Sequence, residues 1–263
     1  MPKIQTGSAL SNAGRIFSSR IGSQTLVLVL LISGWELLGR SVQSPLLPPL
    51  TAILKAWSDL IFAKSFQQDL AISLITMAMG FSLALVSGIL LGIIMARYRP
   101  VERLLDPYMN ALMSSPITAL VPIIMLIFGS QFTARVVIVF LFSFFAICVN
   151  TLTGVKNADR ALVEMVRSFG ANDRQVTTIV ALPGALPIIL QGVRLSIARA
   201  VGGVLIAELM MALSGLGYQL STYGAAFLTN YVYAVVGTIT LIAWLLSEAV
   251  RLLERRLTSW SRA

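Results

Sequence analysis

Long apolar runs separated by short polar breaks organise this chain, and a helix needs about 20 mostly apolar residues to cross a bilayer. Runs of that kind predict six spans, at roughly Ile21–Gly39, Leu70–Ala96, Leu104–Phe128, Ala134–Thr153, Leu186–Met211 and Tyr231–Leu252. Between the first two spans the pattern changes. In "SPLLPPLTAILKAWSDLI" the residues Leu50, Ile53, Leu54, Trp57 and Ile61 recur at helical spacing, with Lys55, Ser58 and Asp59 on the other side. That predicts an amphipathic helix lying at the membrane interface. The expected fold is all-α and membrane-embedded. Residues 1–20 form an N-terminal segment and 21–263 a single transmembrane domain.

Composition agrees with a bilayer as solvent: 57% of the residues are hydrophobic and 12% charged. Histidine is absent, which excludes Ser-His-Asp triads, Cys-His pairs and histidine metal sites. The single cysteine, Cys148, has no partner for a disulfide or metal site and reads as a buried, inert thiol. The first apolar run follows Lys3, Arg15 and Arg20 as a secretion signal would. It lacks an A-x-A cleavage site and continues into Trp35 and Glu36, so it is expected to be retained.

The net charge of +9 is placed for membrane topology, not nucleic acid, because the basic residues flank apolar segments without interleaved aromatics. One set of polar segments holds fourteen: Lys3, Arg15, Arg20, Arg97, Arg99, Arg103, Lys156, Arg160, Arg167, Arg174, Arg251, Arg255, Arg256 and Arg262. The other set holds four: Arg40, Lys55, Lys64 and Arg135. The positive-inside rule then predicts both termini, and the segment Gly154–Ala185, on the cytoplasmic side.

That segment is the longest predicted cytoplasmic connection. Asp159 is expected to cap a short helix with Leu162, Met165, Val166 and Phe169 on its apolar face, and Gly170 to end it. A second short helix follows, capped by Asn172 or Asp173, and "LPGALP" (Leu182–Pro187) is expected to break it before the fifth span. Two readings stand on these residues alone. One is a docking element for a groove on a soluble partner; the other is an ordinary loop that packs back on its own helices.

Polar residues at membrane depth need a reason, since an intramembrane charge is costly. Glu208 has two readings: pairing across a dimer or gating a path, and an interfacial carboxylate reaching water. Glu36 and Glu248 read as satisfied residues near the interfaces, and Arg194 and Arg199 as an anchor at the inner end of their helix. In "SSPITALVP" the prolines Pro116 and Pro122 remove backbone donors, while Ser114, Ser115 and Thr118 supply hydroxyls. This describes either a stretch of translocation path or a kinked packing helix. Gly192, Gly202 and Gly203 predict a small face for close helix packing.

The segment Glu164–Pro183 resembles the E-A-A, three residues, G, nine residues, I-x-L-P pattern of permease subunits of bacterial ABC importers. Glu164 and Gly170 fall in place, and Leu182 and Pro183 close the motif; Met165 and Val166 replace the two alanines and Val180 the isoleucine. The stretches "LLPPLTAILKAW", "ERLLDPYMNAL", "LPGALPIILQGVRLSIARA", "AELM", "SGLGY" and "LLERRL" are similar to the nitrate/sulfonate/taurine group of that family.

The resemblance implies a multi-pass inner-membrane permease acting as a homodimer. It also implies two cytoplasmic ATPase subunits that bind ATP and magnesium, and a substrate-binding protein outside. Residues from about 156 to 185 would couple to the ATPases, through Glu164, Met165, Phe169, Gly170, Ala171, Leu182 and Pro183. The chain would pass a small anion such as a sulfonate, nitrate, taurine or carboxylate by alternating access. Ser114, Ser115, Pro116, Thr118 and Glu208 are candidates for the path. No cofactor is expected in the chain itself: none of its lysines (Lys3, Lys55, Lys64, Lys156) follows a glycine, so it has no phosphate-binding loop. A stand-alone secondary transporter is the rival, although no internal repeat is seen. An intramembrane hydrolase has neither histidine nor a lysine at membrane depth to use.

Overall fold

The computed structural model describes residues 20–42, 44–129, 132–211 and 214–258, with the backbone alone for 20–23. Every regular element among them is helical. In chain order these are α1 (Arg20–Val42), α2 (Leu50–Phe62), α3 (Lys64–Arg97), α4 (Arg99–Ser114), a tight turn at Ile117–Leu120, α5 (Val121–Phe128), α6 (Phe132–Lys156), α7 (Arg160–Ser168), α8 (Asp173–Val176), a wide π turn at Thr177–Ala181, α9 (Leu182–Met211), α10 (Leu216–Ala225) and α11 (Thr229–Leu257). Five of the helical stretches are long and apolar enough to cross a membrane, and six if the bent stretch 99–128 counts as one. The described residues divide into two compact units, one up to Ile61 with Tyr223–Ala234, the other Phe62–Thr222 with the residues from Val235.

In the first unit the proline-rich turn locks α1 to the start of α2. Glu36 pairs with Arg40 at 2.6 Å and accepts from the Thr51 amide at 3.1 Å and its hydroxyl at 2.9 Å. The Trp35 indole donates to the Pro48 carbonyl at 3.1 Å. Glu36 is thus the satisfied polar residue its position predicts. The amphipathic helix expected after Pro49 forms as α2.

In the second unit α6 is the central helix, packed along α3 on one side and α9 on the other. The contact with α3 depends on small residues at every fourth position: Gly80, Ala84, Gly88 and Gly92 are all buried. A Cβ on Gly80 would lie 2.7 Å from Val139 Cβ, and one on Gly92 2.6 Å from Thr151 Cβ. Lipid tails give apolar helices no reason to associate, so close backbone approach and the dispersion contacts it allows hold the pair. Toward α9, Gly192 and Gly203 meet Asn150 and Phe142 of α6, as expected of packing glycines. Gly202 has open space beside it, so it is not part of that face. Gly92→Leu is expected to cost about 1–3 kcal/mol by overpacking, read as a lower thermal midpoint of the purified protein in detergent. An unchanged midpoint would mean that α3 and α6 do not meet as described.

Two expectations about continuity are corrected. The stretch Leu104–Phe128 is not one straight span, because α4 and the helical stretch Ile117–Phe128 meet at 93°. Ser115 adopts an extended backbone (φ −80°, ψ 142°), the conformation that the ring of a following proline imposes. Conversely, "LPGALP" does not break the chain before the fifth span. Helix runs from Asp173 to Met211 as one 39-residue stretch. The π turn immediately before Pro183, in which the Leu182 amide bonds back to the Thr177 carbonyl, widens the helix where a proline ring would otherwise clash.

Candidate functional site

The segment 156–185 forms two short helices with a sharp turn between them, and each boundary has a local cause. Asp159 caps α7, its carboxylate accepting from the Ala161 amide at 2.8 Å. At the other end Gly170 takes a left-handed backbone, φ 84°. There the Gly170 amide bonds to the Arg167 carbonyl at 2.9 Å and the Ala171 amide to that of Val166 at 3.1 Å. This is the paired closure that glycine permits after a last helical turn. Asn172, not Asp173, caps α8: Asn172 Oδ1 accepts from the Gln175 amide and Gln175 Oε1 from the Asn172 amide, each at 2.9 Å. An exposed ion pair between Arg167 and Asp173, 2.9 Å, spans the turn.

The orientation of α7 is the unusual feature. Three of its apolar side chains are turned to solvent, Leu162 46% exposed, Met165 51% and Phe169 85%, while Val163 and Val166 are half-buried. Its other side, carrying Val163, Glu164 and Arg167, lines a cleft of about 830 Å³. A surface helix normally buries its apolar stripe; α7 leaves its stripe exposed along with its charges, and none of its residues is buried. Of the seven residues singled out in this segment, Met165 and Phe169 lie on the outward stripe. Glu164 is exposed and reaches the cleft, and Gly170 and Ala171 form the turn. Leu182 and Pro183 open α9, so they join the segment to a span without a joint.

The five residues proposed for a path do not form one site. Ser114, Ser115, Pro116 and Thr118 are exposed around the α4 bend. The Ser114 and Ser115 hydroxyls donate to the carbonyls of Asn110 and Ala111, at 2.8 and 2.9 Å. Glu208 lies elsewhere, fully buried near the end of α9. The reading of Glu208 as an interfacial carboxylate reaching water is therefore corrected.

What holds the Glu208 carboxylate is the start of α10. It accepts from the Gly217 amide at 2.9 Å and from the Ser73 hydroxyl at 2.7 Å. Ser73 Oγ in turn accepts from the Leu216 amide at 2.9 Å, and Asp69 accepts from the Gly215 amide at 2.7 Å and from the Gln219 side chain. Three successive backbone amides at a helix N-terminus thus find acceptors on α3 and α9, which satisfies donors that have no partner within the helix. Two glycines make room: Gly215 has φ 98°, and a Cβ on Gly217 would lie 2.6 Å from that of Glu208. Arg135, on α6, donates to Ser214 Oγ at 3.0 Å. "SGLGY" is therefore a turn that starts a helix, and the roles of Asp69, Ser73 and Gln219 escaped the sequence reading. Asp69 and Ser73, four apart at the polar edge of a long apolar run, were the only hint.

A bent helical pair, a 39-residue helix that runs from the 156–185 segment into a span, and five or six stretches able to cross a membrane describe a multi-pass membrane protein. The chain belongs to the family described as binding-protein-dependent transport system inner membrane component, whose model matches residues 88–259. It is 32% identical over 264 residues to a Bacillus subtilis protein named as an aliphatic sulfonates transport permease, SsuC, covering 99% of this chain and 95% of that one. It is 33% identical to the taurine transport system permease protein TauC of Escherichia coli, covering 88% of this chain and 86% of that one. The formylaminopyrimidine transport permease protein ThiX of Halalkalibacterium halodurans is also 33% identical, covering 90% and 95%. The fold is shared with a chain of the inward-facing MetNI methionine ABC transporter, with a TM-score of 0.59 at 21% identity, covering 74% of this chain and 95% of that one. The chain is thus an inner-membrane permease subunit of an ABC importer.

Proposed function

We propose that two copies of this permease form a homodimer, carry two cytoplasmic ATPase subunits on the 156–185 segments and receive a small organic anion from a binding protein outside. The observation that carries the reading is α7, whose outward Leu162, Met165 and Phe169 have no core to enter. Burying such side chains is worth about 1.5–3 kcal/mol each, so a soluble partner with an apolar groove gains several kcal/mol by covering them. The unbroken helix from Asp173 to Met211 supplies the mechanical path from that partner into the membrane. ATP and magnesium are assigned to the ATPase subunits, a division supported by lysines of which none follows a glycine in this chain. In this reading both termini lie in the cytoplasm with the coupling segment, which the distribution of basic residues supports.

The substrate class follows from the sulfonate and taurine named for two relatives. Ser114, Ser115, Pro116 and Thr118, exposed at the bend, are the side chains offered to it. Alternating access would open a path between the two copies outward when the ATPases close on ATP and inward after hydrolysis.

The test is ATPase activity of the complex co-expressed with its ATPase and binding protein, comparing wild type with Gly170→Asp. A side chain at Gly170 meets no neighbour but strains a left-handed backbone. The variant is expected to keep its fold and to lose taurine-stimulated hydrolysis. Full stimulation in the variant, or solute movement by the permease alone in proteoliposomes, would overturn the coupling role.

A further inference from the structure

Behind α7 the protein offers charge where a surface helix usually finds a core. The 830 Å³ cleft there has a polar lining in which six side chains are cationic and three are carboxylates. The cations come from separate elements, Arg99 and Arg103 from the first turns of α4 and Arg160 from the start of α7. The six cations outnumber the three carboxylates of the lining. Glu102 is taken by Lys156, while Asp106, which accepts from the neutral Asn110 side chain at 3.1 Å, and Glu164 have no ion-pair partner among the described residues. Among the described residues no ion pair involves Arg99, Arg103 or Arg160.

Like charges gathered in one concave space raise the local potential and concentrate anions. Guanidinium groups match phosphate oxygens with paired hydrogen bonds, which a spherical anion or a carbonyl does not exploit. The volume exceeds what a single water-sized ion needs, and it suits a phosphate group with its attached ester.

We propose that this cleft binds a phosphate-bearing anion, held by Arg99 and Arg103 of α4 together with Arg160 of α7. Occupancy ties α7 to α4 and so sets the position of α7. The binding site stands on the cleft alone; only its consequence for ATPase docking rests on the reading above. Two sources share this chemistry, the headgroup of an anionic lipid, because α3 ends and α4 begins beside the cleft, and a soluble phosphate compound.

The experiment uses the full-length permease in two arms. In the first, inorganic pyrophosphate is titrated calorimetrically into permease held in phosphatidylcholine nanodiscs. In the second, permease from mixed phosphatidylcholine and phosphatidylglycerol membranes is scored by native mass spectrometry for retained phosphatidylglycerol. Saturable binding is expected in one arm, which identifies the source as soluble or lipid. Arg99→Gln with Arg160→Gln should weaken it roughly tenfold or more, as expected for losing hydrogen bonds to a charged group. Arg255→Gln with Arg256→Gln removes the same charge at the end of α11, outside the cleft, and should leave binding unchanged. Arg99→Lys with Arg160→Lys retains the charge but not the fork and should give an intermediate loss, which keeps the site testable if the neutral variant fails to assemble. Absence of saturable binding to wild type in both arms, or equal losses in the cleft and α11 variants, would overturn the proposal. An unchanged ATPase pull-down alongside lost anion binding would leave the docking reading untouched.

Discussion

Phe169→Asp is expected to strip the ATPase subunits from the permease while leaving the permease folded. Phe169 is 85% exposed at the end of α7 and has almost nothing to lose within its own chain. An aromatic anchor at the centre of a partner's groove commonly carries 2 kcal/mol or more of binding. Losing that weakens the complex by roughly thirtyfold, and burying a carboxylate in its place adds a desolvation cost. The measurement is co-purification of the ATPase with tagged permease, alongside the thermal midpoint of the permease alone. Full ATPase recovery would sink the docking reading, whereas a fallen midpoint would show that Phe169 supports the permease itself. Leu162 and Met165 are expected to follow the same pattern with smaller effects, since each is about half exposed and presents less area.

The second large effect concerns the opposite end of α9. Glu208→Ala removes the acceptor for the Gly217 amide and the Ser73 hydroxyl, in a site with no access to water. Each buried group left unsatisfied costs about 1–3 kcal/mol, so a total loss of about 2–6 kcal/mol is expected for the two. Glu208→Gln preserves the shape and one acceptor oxygen and should lose less. The readouts are the thermal midpoint in detergent and the rate of proteolysis near Ser214, which should rise as the start of α10 detaches. An alanine variant as stable as wild type would mean that Glu208 is not the cap of α10. Because α9 continues through the π turn into the coupling segment, the same carboxylate fixes one end of the rod that the ATPases are proposed to move.

Much of this protein is written locally. Five of the six expected spans follow from run length alone, since a backbone in lipid must satisfy its own hydrogen bonds and helices do so within one segment. The 156–185 segment is equally legible. Asp159, Gly170 and Asn172 act on amides and carbonyls a few residues away, so their effect needs no knowledge of the rest of the chain. The bend at Ser115 and Pro116 also has a local cause, although its 93° angle does not. What sequence spacing could not decide is whether a proline ends a helix. Pro116 follows the end of a helix, whereas Pro107 and Pro187 lie inside helices and Pro183 follows a π turn that widens the helix before it.

Tertiary structure alone decided where the polar groups at membrane depth find their partners. Glu208 is visible in the sequence as a carboxylate in an apolar run, but its burial and its partners are not: Ser73 is 135 residues away, and the Gly217 amide lies in the first turn of α10. It also decided which way α7 faces. The apolar stripe was visible in the spacing of Leu162, Met165 and Phe169, yet amphipathicity is the same whether a helix lies on its own core or turns outward. Only the charged cleft behind α7 removes the inward choice, and that cleft exists because the ends of α3, α4 and α6 converge there.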